Sequence, residues 1–442
     1  MDSWILQARK LLEPLRRKRR ALGGETTLDR LVGQEARSDE ASLRLASSFA
    51  FVLRLGRALL SFGLPAQRVE EALGRVAQAL GLEIDALATP TALVVTASDG
   101  QRRRTRLARV EPGETDLERL TALHALVGRV ERRELGPGEA AERIELVQAR
   151  APRYPEVVTV LAYGLASAAS AVLLGGSLVD SSAALALGTT VGVMARLAHR
   201  VATLGRILPA LAAMVSTLLA RAIAAGGAAV HEPVLVLASV IVLLPGFTLT
   251  VATLELATAH VVSGTARLVG GFSTLLQLGF GVALGHRVAQ LLPAVAEARP
   301  VENAEHVVLI AHAVAALAFT LLLRAAPRDA PWIVIGAAVS VAGARLGKAW
   351  LGPELGAFLG ALCIGLVSHV HARIKDGPVL LLLTPGMLML VPGSLGFLSV
   401  ASMLQADVVA ALETAFRMIL VATSLAAGVL VATVAIPPRR AL

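Results

Sequence analysis

The sequence predicts a polytopic α-helical membrane protein, with about ten transmembrane helices arranged as two inverted five-helix repeats behind an N-terminal cytoplasmic α/β domain. Three observations predict it. Of the 442 residues, 55% are hydrophobic and 17% charged, a balance too apolar for water-soluble domains to cover. The charge is also divided unevenly: residues 1–156 carry 26 Lys+Arg and 22 Asp+Glu, whereas 157–442 carry 16 and 11. Finally, Leu244-Pro245-Gly246 recurs as Val391-Pro392-Gly393, an offset of 147 residues that also aligns Gly281 with Gly428. Such spacing gives each half five crossings, and an odd-numbered repeat must invert its topology in the membrane.

The elements follow in order. Residues 1–44, with the run Arg16-Arg17-Lys18-Arg19-Arg20, read as a flexible basic tail without the apolar core of a cleaved signal. Residues 45–156 read as the cytoplasmic α/β domain. Phe51, Leu55, Ala58, Leu59 and Phe62 mark one helix, and Val69, Leu73, Val76 and Leu80 a second, stopped by Gly63 and Gly81. Asp99-Gly100 between two extended runs, 91–96 and 104–110, signals a hairpin turn. Helices over 115–133 and 137–149 complete the domain, the latter opened by Pro137.

Ten apolar stretches long enough to cross a bilayer come next. They lie near 157–176, 179–199, 207–227, 233–259 and 261–285 in a first membrane repeat (157–290). The second repeat (305–436) has stretches near 305–323, 331–350, 354–372, 377–404 and 407–435. Nine basic loop residues fall on the side shared with the N-terminal domain, among them Arg196, Arg200, Arg324 and Arg373, against five on the other. The excess predicts cytoplasmic N- and C-termini.

Chemistry-bearing residues are few in the apolar region, which makes each a candidate. Pro245-Gly246, Pro385-Gly386 and Pro392-Gly393 should kink or break their helices and free backbone groups for a solute. Glu255 and Arg267 fall at similar depth on adjacent helices, so an ion pair is expected, with His260 at the intervening turn as a proton relay. Asp407, Glu413 and Arg417 lie on the last helix, Glu413 and Arg417 at the i, i+4 spacing of a charge pair. Thr248, Thr250, Ser263 and Thr265 offer hydroxyls to a small polar solute, or satisfy their own helix backbone. The substrate-binding candidates are thus Pro245, Gly246, Thr248, Thr250, Ser263, Arg267, Pro392 and Gly393. Glu255, His260, Asp407 and Glu413 are the proton-coupling candidates.

Other classes fare poorly. Cys363 is the single cysteine, so neither a disulfide framework nor a Cys-based zinc site can form. The N-terminal domain has one histidine, His124, so any catalytic triad would have to use it, and its helical pattern reads it as an ordinary surface or core histidine. No enzyme activity, cofactor or metal is expected. Aromatic residues make up 3% and are absent from the arginine clusters, which argues against nucleic acid. The expected partners are a small polar solute, the lipid bilayer and, as an open option, further copies in a homo-oligomer.

Over about 45–435 the sequence resembles the threonine/serine exporter family. The resemblance rests on Leu59-Leu60-Ser61-Phe62-Gly63 with Arg68-Val69-Glu70, on Thr89-Pro90-Thr91, and on Asp116-Leu117 with Arg119-Leu120. In the apolar region it rests on Leu244-Pro245-Gly246, Thr248-Leu249-Thr250, Glu255-Leu256 and Ser263 through Leu268. It implies a bacterial inner-membrane exporter of threonine and serine driven by the proton motive force. Two alternatives stand beside it: export of dicarboxylates such as succinate, and a membrane-anchored sensor or enzyme acting through residues 45–150.

Overall fold

In the computed structural model the described residues are 46–437, apart from 99–102, 112, 294–300 and 405–406. The basic tail, the Asp99-Gly100 turn and Arg439 and Arg440 therefore lie outside them. Residues up to Ala50 form one unit, of which 46–50 are described and helical. Residues 51–442 form a second.

The second unit begins with α1 (51–61) and α2 (Ala66–Ala79). A three-stranded antiparallel sheet follows: β1 (Glu83–Thr89), β2 (Ala92–Ser98) and β3 (Arg103–Arg109), in the order β1-β2-β3. Ser98 pairs with Arg103 across the expected turn, so the antiparallel hairpin is present. β1 is an additional strand with no counterpart among the expected elements. Leu93, Val95 and Ala97 of β2 are buried, with Leu93 meeting Leu73 of α2 over Gly56 of α1, the alternation of a half-buried strand. The outer strand β3 carries Arg103, Arg104, Arg106 and Arg109, all exposed, and such charge discourages further strand pairing. Next come α3 (Leu117–Glu131), whose Asp116 caps the Arg119 N–H at 2.9 Å, and α4 (Pro137–Ala149), with proline in its first turn.

The apolar helices then run α5 (Glu156–Leu173), α6 (Leu178–Arg200), α7 (Ala202–Ala225), α8 (Glu232–Ser239), α9 (Gly246–Ala257) and α10 (Val261–Ala289). After the loop come α11 (Glu305–Leu322), α12 (Ala330–Leu351), α13 (Pro353–Lys375), α14 (Leu380–Leu388), α15 (Gly393–Leu404) and α16 (Val408–Ala435). Among the described residues nine spans are long and apolar enough to cross a membrane. Glu232–Ser239 and Ile241–Ala257, bent by 51° at Val240, make a tenth if the pair forms one span. α14 and α15 together count as one of the nine.

The interruptions do not all fall where proline does. Pro245 and Pro392 each immediately precede a new helix, α9 and α15. Pro385, by contrast, lies inside α14, which continues through it, so of the kink or break expected at Pro385-Gly386 the break is absent. Gly386 instead lets the Ile364 side chain of α13 pack where a Cβ would stand. Pro209 is likewise carried within α7.

Packing between the halves is reciprocal. α9 lies against α10 and α16, while α15 lies against α16 and α10; α7 packs on α10 as α13 packs on α16. Small residues permit the close approaches: the backbone carbonyl of Ala210 faces Gly281, and that of Phe358 faces Gly428.

Candidate functional site

The two Pro-Gly breaks meet. A Cβ built on Gly246 would stand 2.7 Å from the Gly393 N and 2.8 Å from its Cα, and would overlap Val391. On Gly393 it would stand 3.0 Å from Leu244 and 3.3 Å from the Gly246 Cα. Only glycine admits this approach. Both glycines open helices, so the amide-bearing, partially positive ends of α9 and α15 come together, with the first-turn N–H groups lacking intrahelical acceptors. The Leu249 N–H takes the Pro245 carbonyl at 2.9 Å and the Gly396 N–H the Pro392 carbonyl at 3.2 Å, so helical bonding resumes only past those first residues.

The hydroxyls divide around this crossing. Thr250 is buried and donates to the Gly246 carbonyl of its own helix at 3.1 Å. Thr248 is half-buried beside it, and Thr265 is exposed on α10. Ser263 is buried, with an Oγ that finds no hydrogen-bond partner among the described residues.

Toward the C-terminal end of α9, Glu255 is fully buried. Its carboxylate accepts from Arg267 Nε at 3.2 and 3.1 Å and from the Ala66 backbone N–H at 2.8 Å. Ala66 is the first residue of α2, whose N-cap is Pro65 and whose first turn has no acid. The acceptor that an uncapped helix start requires therefore comes from 189 residues away. Thr258 adds a hydrogen bond to Gln67. His260 has both ring nitrogens occupied, Nε2 by Glu70 at 3.1 Å and Nδ1 by the Thr258 carbonyl at 2.9 Å. Glu70 also accepts from the Ala88 N–H of β1 at 2.7 Å.

The other charged candidates do not join this cluster. Asp407 caps α16, accepting from the Ala410 N–H at 3.1 Å, a role readable from an aspartate just before an apolar helix. Arg417 bonds Glu354 of α13 at 2.9 Å and stands 3.8 Å from Glu413, whose side chain is 66% exposed.

Several participants escaped the sequence reading. Glu70, Gln67 and Glu114 sit in helix or loop patterns that signal only a solvated surface. Asp180 was missed as well, although Ser177-x-x-Asp180 has the spacing of a capping box; besides that bond it accepts from the His231 N–H at 2.7 Å. A cleft of about 290 Å³ lies away from the breaks, at Asp116, Glu118, Arg119, Arg150, Ala151 and Arg153. Arg153 grips Glu118 through two bonds of 2.8 and 2.5 Å, and these hold the Glu118 carboxyl below its ordinary range against the opposing effect of burial. Among the described residues no three His, Cys, Asp or Glu side chains are grouped as metal ligands.

The family profile described as "Putative threonine/serine exporter" matches residues 50–289, and one described as "Threonine/Serine exporter, ThrE" matches 308–435. The chain is similar to pheromone-regulated membrane protein 10 of Eremothecium gossypii, 26% identical over 82% of this chain and 50% of that one. The namesake in Candida albicans (strain WO-1) is 23% identical over 78% of this chain and 32% of its own length. The uncharacterized protein C7D4.12c of Schizosaccharomyces pombe is 26% identical over 53% of this chain and 32% of its own length. The chain thus spans about a third to a half of these relatives. No solved structure matches.

Proposed function

Because the chain belongs to the threonine/serine exporter family, we propose that it is a secondary transporter that exports threonine or serine through a site at the crossing of its two broken helices. The observation that carries this reading is the mutual approach of Gly246 and Gly393. Two positive helix ends converge there, an arrangement suited to a solute carboxylate. Thr248 stands beside them for a hydroxyl or ammonium group.

The reciprocal packing of α9 and α15 supports a relation between halves by an inverted repeat, which would rock about this crossing to alternate access. Glu255 is the residue we assign to proton coupling. Protonating its carboxylate would weaken the bonds from Arg267 and Ala66 together, so proton arrival and loosening of α2 would be one event. We assign the N-terminal elements and the C-terminus to the cytoplasmic face of a bacterial inner membrane, a reading that the basic-residue bias and the family resemblance support.

Reconstitution tests the assignment. In proteoliposomes with an imposed pH gradient, labelled threonine should exchange, and Gly246→Ala or Gly393→Ala should reduce the rate at least about 100-fold, because the added methyl cannot fit at the crossing. Undiminished transport by both variants would remove the crossing as the site. Glu255→Gln should uncouple transport from the gradient. Competition with succinate decides the substrate class, since the converging helix ends also suit a dicarboxylate; stronger inhibition by succinate than by serine would favour that second reading.

A further inference from the structure

The N-terminal elements grip both five-helix halves at one end of the bundle. On the first half, Ala66 donates to Glu255 at 2.8 Å, Gln67 accepts from Thr258, and Glu70 meets His260 at 3.1 Å. On the second half, the Leu117 N–H at the start of α3 donates to the Leu323 carbonyl at 2.9 Å. Arg324 bonds Glu114 at 2.6 Å and stands 3.5 Å from Asp116, and the Tyr154 hydroxyl donates to the Ala325 carbonyl at 2.7 Å. Glu114 touches both halves by itself, because its other carboxylate oxygen meets His199 of α6 at 3.0 Å.

The two footholds share a root. Gly63, at φ +83°, lies so close to Thr115 that a Cβ would stand 2.8 Å from its Oγ1, and a Cβ on Gly113 would stand 2.5 Å from the Ser61 carbonyl oxygen. A methyl at Gly113 must therefore displace backbone, not a yielding side chain. The footholds differ in access. Glu255 is fully buried, whereas the ion pair between Arg324 and Glu114 has side chains 18% and 44% exposed. Each foothold also carries a residue in the left-handed region, Ala259 at φ +63° on the first half and Arg324 at φ +55° on the second, which is uncommon for a residue with a side chain.

We propose that residues 61–67 and 113–119 form a strap that locks the two halves together at this end, and that its foothold on Arg324 is the one that lets go. Hydrogen bonds of these lengths do not survive a separation of even 1 Å, so relative motion of the halves requires one foothold to open. The more solvent-accessible foothold opens at lower cost. The transport reading supplies the strap's purpose; its existence is a question of distance between the halves.

The test uses the full chain in lipid nanodiscs with Cys363→Ser and spin labels on Arg200→Cys and Arg373→Cys, at the exposed ends of α6 and α13. With the strap intact, one narrow distance is expected. Arg324→Ala and Gly113→Ala should each raise the ratio of long to short distances about tenfold or more. Arg132→Ala, at an exposed pair with Glu134, should leave it unchanged. If Arg324→Ala folds and keeps the narrow distribution, the strap is overturned, whatever Gly113→Ala does. A shifted distribution in a protein that transports no solute upholds the strap and removes the transport reading, while transport with unshifted variants does the reverse.

Discussion

Two acid–arginine pairs in the apolar region look alike in the sequence and differ in the structure. Glu255 and Arg267 are 12 residues apart on successive helices, with side chains 0% and 18% exposed. Glu413 and Arg417 are one helical turn apart, 66% and 47% exposed, at 3.8 Å. The first pair holds a third member, the Ala66 N–H, and so joins the N-terminal elements to the bundle. The second shares its arginine with Glu354 at the far end of the bundle. Sequence spacing predicts that two charges can meet; burial and the number of donors decide what is lost when they part.

Substitutions can break this comparison, beginning with its strongest member. Glu255→Ala leaves a half-buried guanidinium and a helix-start N–H without their acceptor, and should cost about 3–5 kcal/mol, read as a fall in thermal midpoint in detergent. Arg267→Met should cost less, about 2–3 kcal/mol, because Glu255 keeps its bond to Ala66. Should Arg267→Met prove the more damaging, the arginine and not the carboxylate is the centre of the cluster.

An intermediate case is Glu118, partly exposed and gripped by Arg153. Its folded carboxyl is held below the unfolded value, so its stabilising contribution is complete above about pH 4.3 and disappears as pH falls through the depressed folded value. Glu118→Gln should flatten the acid limb of a stability-against-pH curve while lowering the neutral plateau slightly. At the bottom of the order, Glu413→Gln should change stability by no more than about 0.5 kcal/mol. A loss comparable to that of Glu255→Ala would erase the distinction drawn between the two pairs.

What the sequence reveals here is what short-range periodicity encodes. Apolar runs locate the spans to within a few residues, and proline before glycine locates the openings of α9 and α15. Proline alone does not distinguish a helix start from a helix interior, which is why Pro385 misleads: its tolerance depends on what packs around α14, and Ile364 of α13 is not visible locally. The pairing of Glu255 with Arg267 is foreseeable because one short turn joins their helices. The donor from Ala66, the bond between Arg417 and Glu354 and the strap at Glu114 join residues far apart in sequence. Their register depends on tertiary packing, and a single chain carries no signal for it.

The 51° bend between Glu232–Ser239 and Ile241–Ala257 falls at Val240, ahead of the Pro245-Gly246 break, and has no equal between α14 and α15. Two interrupted spans are thus set differently within one molecule. If the halves are related as proposed, exchanging the settings, straightening the first and bending the second, describes a second conformation with its opening reversed. A single static form would then already contain the recipe for its opposite, and the direction it faces is recorded in which span is bent.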